Sequence, residues 1–188
     1  ITDRLYGGDN EHRLRQEIVL GIGGMRALVA LGITPTIVHL NEGHAAFAAV
    51  ERVSQHMDEE HGAFALEAQR LTGGVAFTTH TPVPAGRDQF PSRLARHVLG
   101  APYCDWLQFC GQATGLNMTD LALHSAQFIN GMAMKHGEIS RGMFPGYPIH
   151  SITNGVHAMT WTSAPFQALY DQYLPGWRCD TFMLRYAI

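Results

Sequence analysis

Three short segments carry side chains that could bind a polar ligand, and each follows a predicted β-strand. They are Asn41-Glu42-Gly43-His44, His80-Thr81, and Asn154-Gly155 with His157. Amide, hydroxyl and neutral imidazole groups offer paired hydrogen-bond donors and acceptors with little net charge. Such a set suits a neutral, hydroxyl-rich ligand such as a sugar, whereas a phosphate would call for Arg, Lys or a glycine-rich loop.

Each of these segments also has a purely structural explanation. Asn41 could cap the helix that follows it, and Asn154-Gly155 could form a tight turn. For any one segment alone, the structural explanation is the better one. Three polar segments at the strand ends of one sheet favour a shared binding site instead.

The elements that would position these residues alternate between strands and helices. The spacing of Leu14, Ile18, Ile22, Met25 and Leu28 predicts a helix over 11–31. Strands are predicted at 36–40, 75–79, 121–123 and 148–153. Further helices are predicted at 45–60, 89–99, 103–112, 127–143 and after Ser163-Ala164-Pro165. This alternation predicts an α/β fold with a Rossmann-like parallel sheet flanked by helices, in which ligands bind beyond the carboxyl ends of the strands.

Two other kinds of site are open from the residues alone. The eleven histidines, and the closeness of His39, Glu42 and His44, would suit a metal-dependent hydrolase. Against a metal, His39 lies within a strand, so we expect its side chain to point differently from those of the loop, and no HExxH motif occurs. A glycine-rich stretch at 21–24 resembles a dinucleotide-binding loop, but Arg26 stands where the third glycine belongs. These glycines predict close helix packing.

Composition limits the classes of protein. The 188 residues suit one domain, 46% are hydrophobic, and only 15% are charged, which predicts a surface covered by other protein. The net charge of −3 and the lack of a basic run argue against nucleic acid as a partner. No apolar run has the length of a membrane span, and three cysteines without a zinc motif indicate a reducing cytoplasm. The first residue is not Met and the last residues stop inside an apolar pattern, which predicts that both ends are cuts.

Six segments of the sequence resemble the α-glucan phosphorylase family, which acts on glycogen, starch or maltodextrin, in its shorter bacterial and archaeal type. They occur in family order and cover nearly the whole chain, at 5–10, 13–17, 39–47, 77–86, 136–141 and 152–157. The resemblance implies that residues 1–188 are one partial domain. It would be a fragment of the N-terminal, glucan-binding domain of a GT-B glycosyltransferase, with the C-terminal domain absent.

The resemblance also implies a reaction and its partners. The intact protein would cleave terminal α-1,4-glucosidic bonds with inorganic phosphate and release glucose 1-phosphate. Its cofactor, pyridoxal 5'-phosphate, would sit on a lysine of the C-terminal domain, outside this chain. The expected partners are the α-1,4-glucan, inorganic phosphate and the missing domain, and a homodimer stays open. The fragment alone is expected to be inactive, and a non-catalytic carbohydrate-binding or regulatory module is the main alternative.

The resemblance assigns roles to individual residues. The catalytic roles fall to His80, which would contact the glucose, and to Asp9, which would sit on a mobile loop that gates access. Glu42 and His44 would line the pocket and orient His80. The full substrate-binding set that the resemblance implies is Asn10, Glu42, His44, Thr81 and Asn154.

Overall fold

The structure of this chain is a computed structural model that describes residues 1–2, 8–60, 72–83, 87–100, 103 and 115–187, with the side chains of 58–60 excepted. Two compact units occur, Ile1–Thr153 and Asn154–Ile188. None of the described helices is long and apolar enough to cross a membrane.

The first unit begins with the predicted long helix, which has three parts. These are α1 (Asn10–Ile18), a π-helical turn (Val19–Gly23) and α2 (Gly24–Ala30). At Gly21 an added Cβ atom would lie 2.6 Å from the Cβ atom of Phe47, so only glycine allows this approach between the helices. The prediction of close helix packing is therefore confirmed at Gly21, whereas Gly24 faces open space.

Six strands follow in the described residues. They are β1 (Val38–Asn41), β2 (Val75–Thr79), β3 (Gln89–Phe90), β4 (Leu116–Asn117), β5 (Phe128–Gly131) and β6 (Ile149–Ser151). Strands β1, β2, β5 and β6 form one parallel sheet in that order, and β3 pairs with β4 antiparallel. The predicted α/β class with a parallel sheet flanked by helices is confirmed.

The remaining helices of the first unit lie between these strands. They are a 3-10 turn (Gly43–Ala45), α3 (Phe47–Glu60), a 3-10 turn (Thr72–Gly74), α4 (Ser92–Leu99), α5 (Met118–Ser125) and α6 (Met134–Met143).

The predicted third strand at 121–123 is wrong, because these residues lie inside α5. The side-chain oxygen of Asn117 accepts hydrogen bonds from the amides of Thr119 (3.0 Å) and Asp120 (3.1 Å), which starts a helix there. The true third strand of the sheet is β5, which occupies the start of the helix predicted at 127–143. The prediction of a helix over 89–99 is shortened by β3, and that over 103–112 lies outside the described residues except for Tyr103.

The core is built on one row of side chains that crosses the whole sheet. Leu40, Phe77, Ile129 and Ile149 are neighbours in register on successive strands, and all four are buried. Burying each such side chain stabilises the fold by about 1.5–3 kcal/mol. One residue further along each strand, a polar row occupies the opposite face, formed by Asn41, Thr78, Asn130 and His150. One face of the sheet therefore supports the apolar core, and the other carries this polar row near the strand ends.

The second unit contains α7 (Ala158–Trp161), α8 (Ala164–Tyr173) and a 3-10 helix (Thr181–Tyr186). Its buried centre is Trp177, whose indole N–H donates to the Asp171 carboxylate at 2.8 Å. Two guanidinium nitrogens of Arg178 donate to the Asp171 carboxylate, each at 2.8 Å. These hydrogen bonds lower the pKa of Asp171 to about 2. The helix predicted after Ser163-Ala164-Pro165 is confirmed as α8.

Candidate active site

An open cleft of about 1000 Å³ lies at the carboxyl ends of β1 and β2. Six of the seven residues that the sequence analysis selected line it, namely Asp9, Asn10, Glu42, His44, His80 and Thr81. This volume is at the upper end of the range for small-molecule sites. The rule that ligands bind beyond the carboxyl ends of parallel strands therefore located the cleft correctly for the first two strands.

Glu42 joins the two loops that form the floor of the cleft. One carboxylate oxygen accepts from the His80 amide at 2.7 Å, and the other accepts from the Gly43 amide at 3.0 Å. The Glu42 amide itself donates to the Thr78 carbonyl oxygen at 3.0 Å. The side chain thus ties the end of β2 to the end of β1, and the contact expected between Glu42 and His80 is present.

The backbone of Glu42 is strained. Its φ of 72° and ψ of 165° lie in a region that is almost restricted to glycine, and Glu42 is the non-glycine residue with positive φ among the described residues. Such a conformation costs on the order of 1–3 kcal/mol and persists only where the surroundings enforce it. The two hydrogen bonds of the carboxylate provide that enforcement.

Asp9 and Asn10 enter the cleft from the start of α1. Asp9 is the N-cap residue, and its carboxylate accepts from the His12 amide at 2.9 Å. Its position is therefore set by the helix that it caps, and the gating role expected for it stays a prediction. The preceding residues of this motif, 5–7, lie outside the described residues.

His44 lies in the 3-10 turn after β1 and is half-buried. Burial lowers the pKa of His44, and the positive charge of Arg13 lowers it further. The imidazole is therefore neutral at pH 7, with one donor and one acceptor nitrogen available for hydrogen bonding.

Three residues near the cleft were missed by the sequence analysis. Arg13 and Asp88 line the cleft, and a guanidinium nitrogen of Arg13 lies 2.8 Å from the Asp88 carboxylate. Glu17 lies behind them, 3.1 Å from the Arg13 Nε atom. Arg13 stands one helical turn after Asp9, so helical spacing could have revealed it, whereas no local signal marked Asp88.

His39 reaches the cleft through a hydrogen-bonded row across three strands. Its Nε2 atom lies 2.7 Å from the Thr78 hydroxyl, which donates to the side-chain oxygen of Asn130 at 2.9 Å. Because the hydroxyl proton goes to Asn130, Thr78 accepts from His39, and Nε2 carries the proton. His39 lines the same cleft as Glu42. Its imidazole binds the Thr78 hydroxyl, whereas the Glu42 carboxylate binds backbone amides.

The metal alternative gains nothing from this geometry. Among the described residues, no group of three His, Cys, Asp or Glu side chains is close enough to hold a metal ion. His39 and Glu42 are both engaged in hydrogen bonds to Thr78 and to backbone amides.

Asn154, the seventh selected residue, is exposed and begins the second unit. His157, which follows it, has its Nδ1 atom 2.7 Å from the Thr160 hydroxyl at the start of α7. The role expected for Asn154 in holding a ligand stays a prediction.

The first unit therefore presents a cleft whose floor is tied by a carboxylate and whose walls offer amide, hydroxyl and imidazole groups. The one guanidinium among the described lining residues, that of Arg13, is matched by the Asp88 and Glu17 carboxyl groups. This arrangement favours a polar, uncharged ligand over an anion.

Comparison with known proteins points to one family. No family model matches the chain. The maltodextrin phosphorylase of Thermococcus litoralis is 40% identical over 93% of this chain, and the glycogen phosphorylase of Mycobacterium tuberculosis (strain ATCC 25618 / H37Rv) is 38% identical over 87%. The glycogen phosphorylase of Aquifex aeolicus is 30% identical over 93%. The chain spans only 22%, 22% and 28% of the length of these three relatives.

Proposed function

Over the segment that it spans, this chain belongs to the α-glucan phosphorylase family, and on that premise we propose that it forms the glucose-binding side of a phosphorylase active site. The whole protein would be a GT-B glycosyltransferase that cleaves the terminal α-1,4 bond of a glucan with inorganic phosphate. The observation that carries the proposal is the Glu42 tie, because it fixes the two strand-end loops around one cleft.

In this proposal His80 contacts the glucose unit that is transferred. Its amide is held by Glu42 at 2.7 Å, so the backbone that leads into His80 is positioned before a sugar enters. A hydrogen bond from the sugar to this region would stabilise the positive charge of an oxocarbenium-like transition state. A donor or acceptor that is already in position stabilises the transition state more, because it does not have to reorganise during the reaction.

The other cleft residues would recognise the hydroxyl groups of the sugar. Asn10 and Thr81 supply an amide and a hydroxyl at the cleft wall, and neutral His44 supplies an imidazole. The family resemblance assigns a further sugar-binding amide to Asn154. Asp9 would help to close the site, because exclusion of water favours phosphate over hydrolysis.

Pyridoxal phosphate, the cofactor that the family resemblance implies, does not fit the residues of this chain. The only lysine is Lys135, whose side chain is 75% exposed and pairs with Glu138 at 2.9 Å. An exposed lysine in a surface ion pair is not placed to hold a cofactor in a closed site. The proposal therefore puts the cofactor and the phosphate-binding groups outside this chain, and the chain alone is expected to be inactive.

The proposal can be tested by NMR titration of the chain with glucose and with maltoheptaose. We expect shift changes at the amides of the loops after β1 and β2, and loss of these changes in His80→Ala and Glu42→Ala. The matched control is His97→Ala, since His97 lies exposed on α4. Shift changes that survive both cleft substitutions would contradict the proposal, as would release of glucose 1-phosphate by the chain alone.

A further inference from the structure

Glu17 is a buried carboxyl group next to the cleft-wall residues Arg13 and Asp88. Its exposure is 1%, no well-aligned N–H donor reaches either side-chain oxygen, and a hydrogen bond with the Asp88 side chain favours its protonated form. Its close neighbour is Arg13 on the preceding turn of α1, with 3.1 Å between Arg13 Nε and a Glu17 oxygen. A charged carboxylate in such a place is costly unless donors surround it.

Arg13 is shared between two carboxyl groups. On its other side, a guanidinium nitrogen lies 2.8 Å from the Asp88 carboxylate, which is 32% exposed. If both carboxyl groups were ionised, the cluster of Arg13, Glu17 and Asp88 would carry a net charge of −1 in a largely buried place. One retained proton makes the cluster neutral, and the more deeply buried Glu17 is the group that retains it.

The charges around Glu17 agree with this assignment. Burial raises the pKa of Glu17 to about 9, the Asp88 carboxylate adds to the rise, and Arg13 opposes it. The π-helical turn that continues α1 has no charged residue, and the Arg93, Arg96 and His97 side chains of α4 are exposed. From the loop after β1, Glu42 and His44 face the same cleft as Arg13 and Asp88.

We propose that Glu17 is a positioning residue that holds a proton at neutral pH and thereby leaves the Arg13 guanidinium committed to Asp88 in the cleft wall. When Glu17 loses that proton, its carboxylate competes with Asp88 for Arg13, and the wall of the cleft loosens. This goes beyond the proposed function and does not depend on which ligand the cleft takes.

The sign of the pH effect follows from linkage. The pKa of Glu17 is raised from 4.5 to about 9 on folding, so its contribution to stability is fully present below pH 4.5 and is lost as the pH rises towards 9. Glu17→Gln keeps the shape of the neutral acid but cannot ionise, so it removes this loss.

The test is urea unfolding of the chain from pH 5 to pH 9. We expect the urea midpoint of the wild type to fall across this range relative to that of Glu17→Gln. The matched control is Glu11→Gln on the same helix, because Glu11 pairs with Arg15 at 2.7 Å on the exposed side. Glu11→Gln should follow the wild-type pH profile, and parallel profiles of Glu17→Gln and wild type would overturn the proposal.

Two further measurements report on the proton and on Arg13. An infrared band of a protonated carboxyl group should be present in the wild type at pH 7 and absent in Glu17→Gln. The NMR signal of Arg13 Nε should shift between pH 7 and pH 10 in the wild type only, and a signal that does not move would overturn the positioning role. If Glu17→Gln does not fold, Asp88→Asn decides: it should move the infrared titration of Glu17 to lower pH, and an unchanged midpoint would count against the cluster.

Discussion

Glu17 and Glu51 are both deeply buried carboxyl groups on helices, and both lie beside an arginine, yet their surroundings differ. Glu51 is 3% exposed and accepts hydrogen bonds from Arg26 Nε (2.8 Å), the Tyr103 hydroxyl (2.6 Å) and Gln55 (3.3 Å). Glu17 is 1% exposed and accepts none. Equal burial therefore does not give equal surroundings, because the two carboxyl groups differ in the number of donors that reach them.

The difference follows the position of each group in the fold. Glu51 lies on α3, pairs with Arg26 of α2 and accepts from the Tyr103 hydroxyl. It is not among the described residues that line the cleft. Burial, followed by the hydrogen bond to Glu51, raises the pKa of Tyr103, so the phenol stays a donor. Glu17 lies against the cleft wall. A fully paired carboxylate supports the scaffold, whereas an incompletely paired one is typical of a functional site.

The largest effect should come from removing the charge of Glu51. In Glu51→Gln the Arg26 and Tyr103 donors lose their ionised acceptor, and we expect the free energy of unfolding at pH 7 to fall by about 3 kcal/mol. Glu17→Gln, the same change at the other buried carboxyl group, should leave stability at pH 7 equal to or higher than that of the wild type. Urea unfolding of both variants measures the contrast. A loss of similar size at the two positions would show that burial, and not donor supply, separates them.

A smaller effect is expected at Glu42, which combines two donors with a strained backbone. Glu42→Ala removes both hydrogen bonds and keeps the strain, so we expect a loss of about 2 kcal/mol. Glu42→Gly also removes the hydrogen bonds but relieves the strain, and about 1 kcal/mol of that loss should return.

The order of these two variants in thermal or urea unfolding tests whether Glu42 holds its backbone against strain. Glu42→Gln keeps the length of the side chain but only one of its two acceptor oxygens. Its stability should therefore lie between that of Glu42→Ala and that of the wild type. A glycine variant less stable than the alanine variant would mean that the φ of 72° is not costly here.

Local signals explain why some elements were predictable. Strand β2 was placed correctly because Val75, Phe77 and Thr79 alternate towards the core. Strand β5 was missed because Asn130 and Gly131 are poor strand formers, and their pairing with Thr78 and Thr79 on β2 overrides that preference. The apolar run at 121–123 resembles a strand by itself, and the helix that contains it is set by the cap at Asn117.

The cleft residues that directly follow a strand were predictable from the strand-end rule. Glu42, His44, His80 and Thr81 follow their strands directly, and the family resemblance added Asp9 and Asn10. Asp88 and Glu17 were not predictable in the same way. Asp88 reaches Arg13 across 75 residues of sequence, and Glu17 matters because it shares that arginine with Asp88. The π-helical turn within the long helix likewise had no recognisable signal in the spacing of apolar residues.

The smallest effect should come from Asp9, the exposed carboxylate with a single donor. Asp9→Ala removes the N-cap of α1 and should lower the free energy of unfolding by about 1 kcal/mol, whereas Asp9→Asn keeps a capping oxygen and should cost less than half of that. The pair separates capping from ligand binding, since Asp9→Asn retains the helix start and removes only the charge. If Asp9→Asn retains stability but loses the NMR response to maltoheptaose, the carboxylate acts in the cleft. If it retains both, the function of Asp9 in this chain is that of a helix cap, and the result counts against the gating role expected for it.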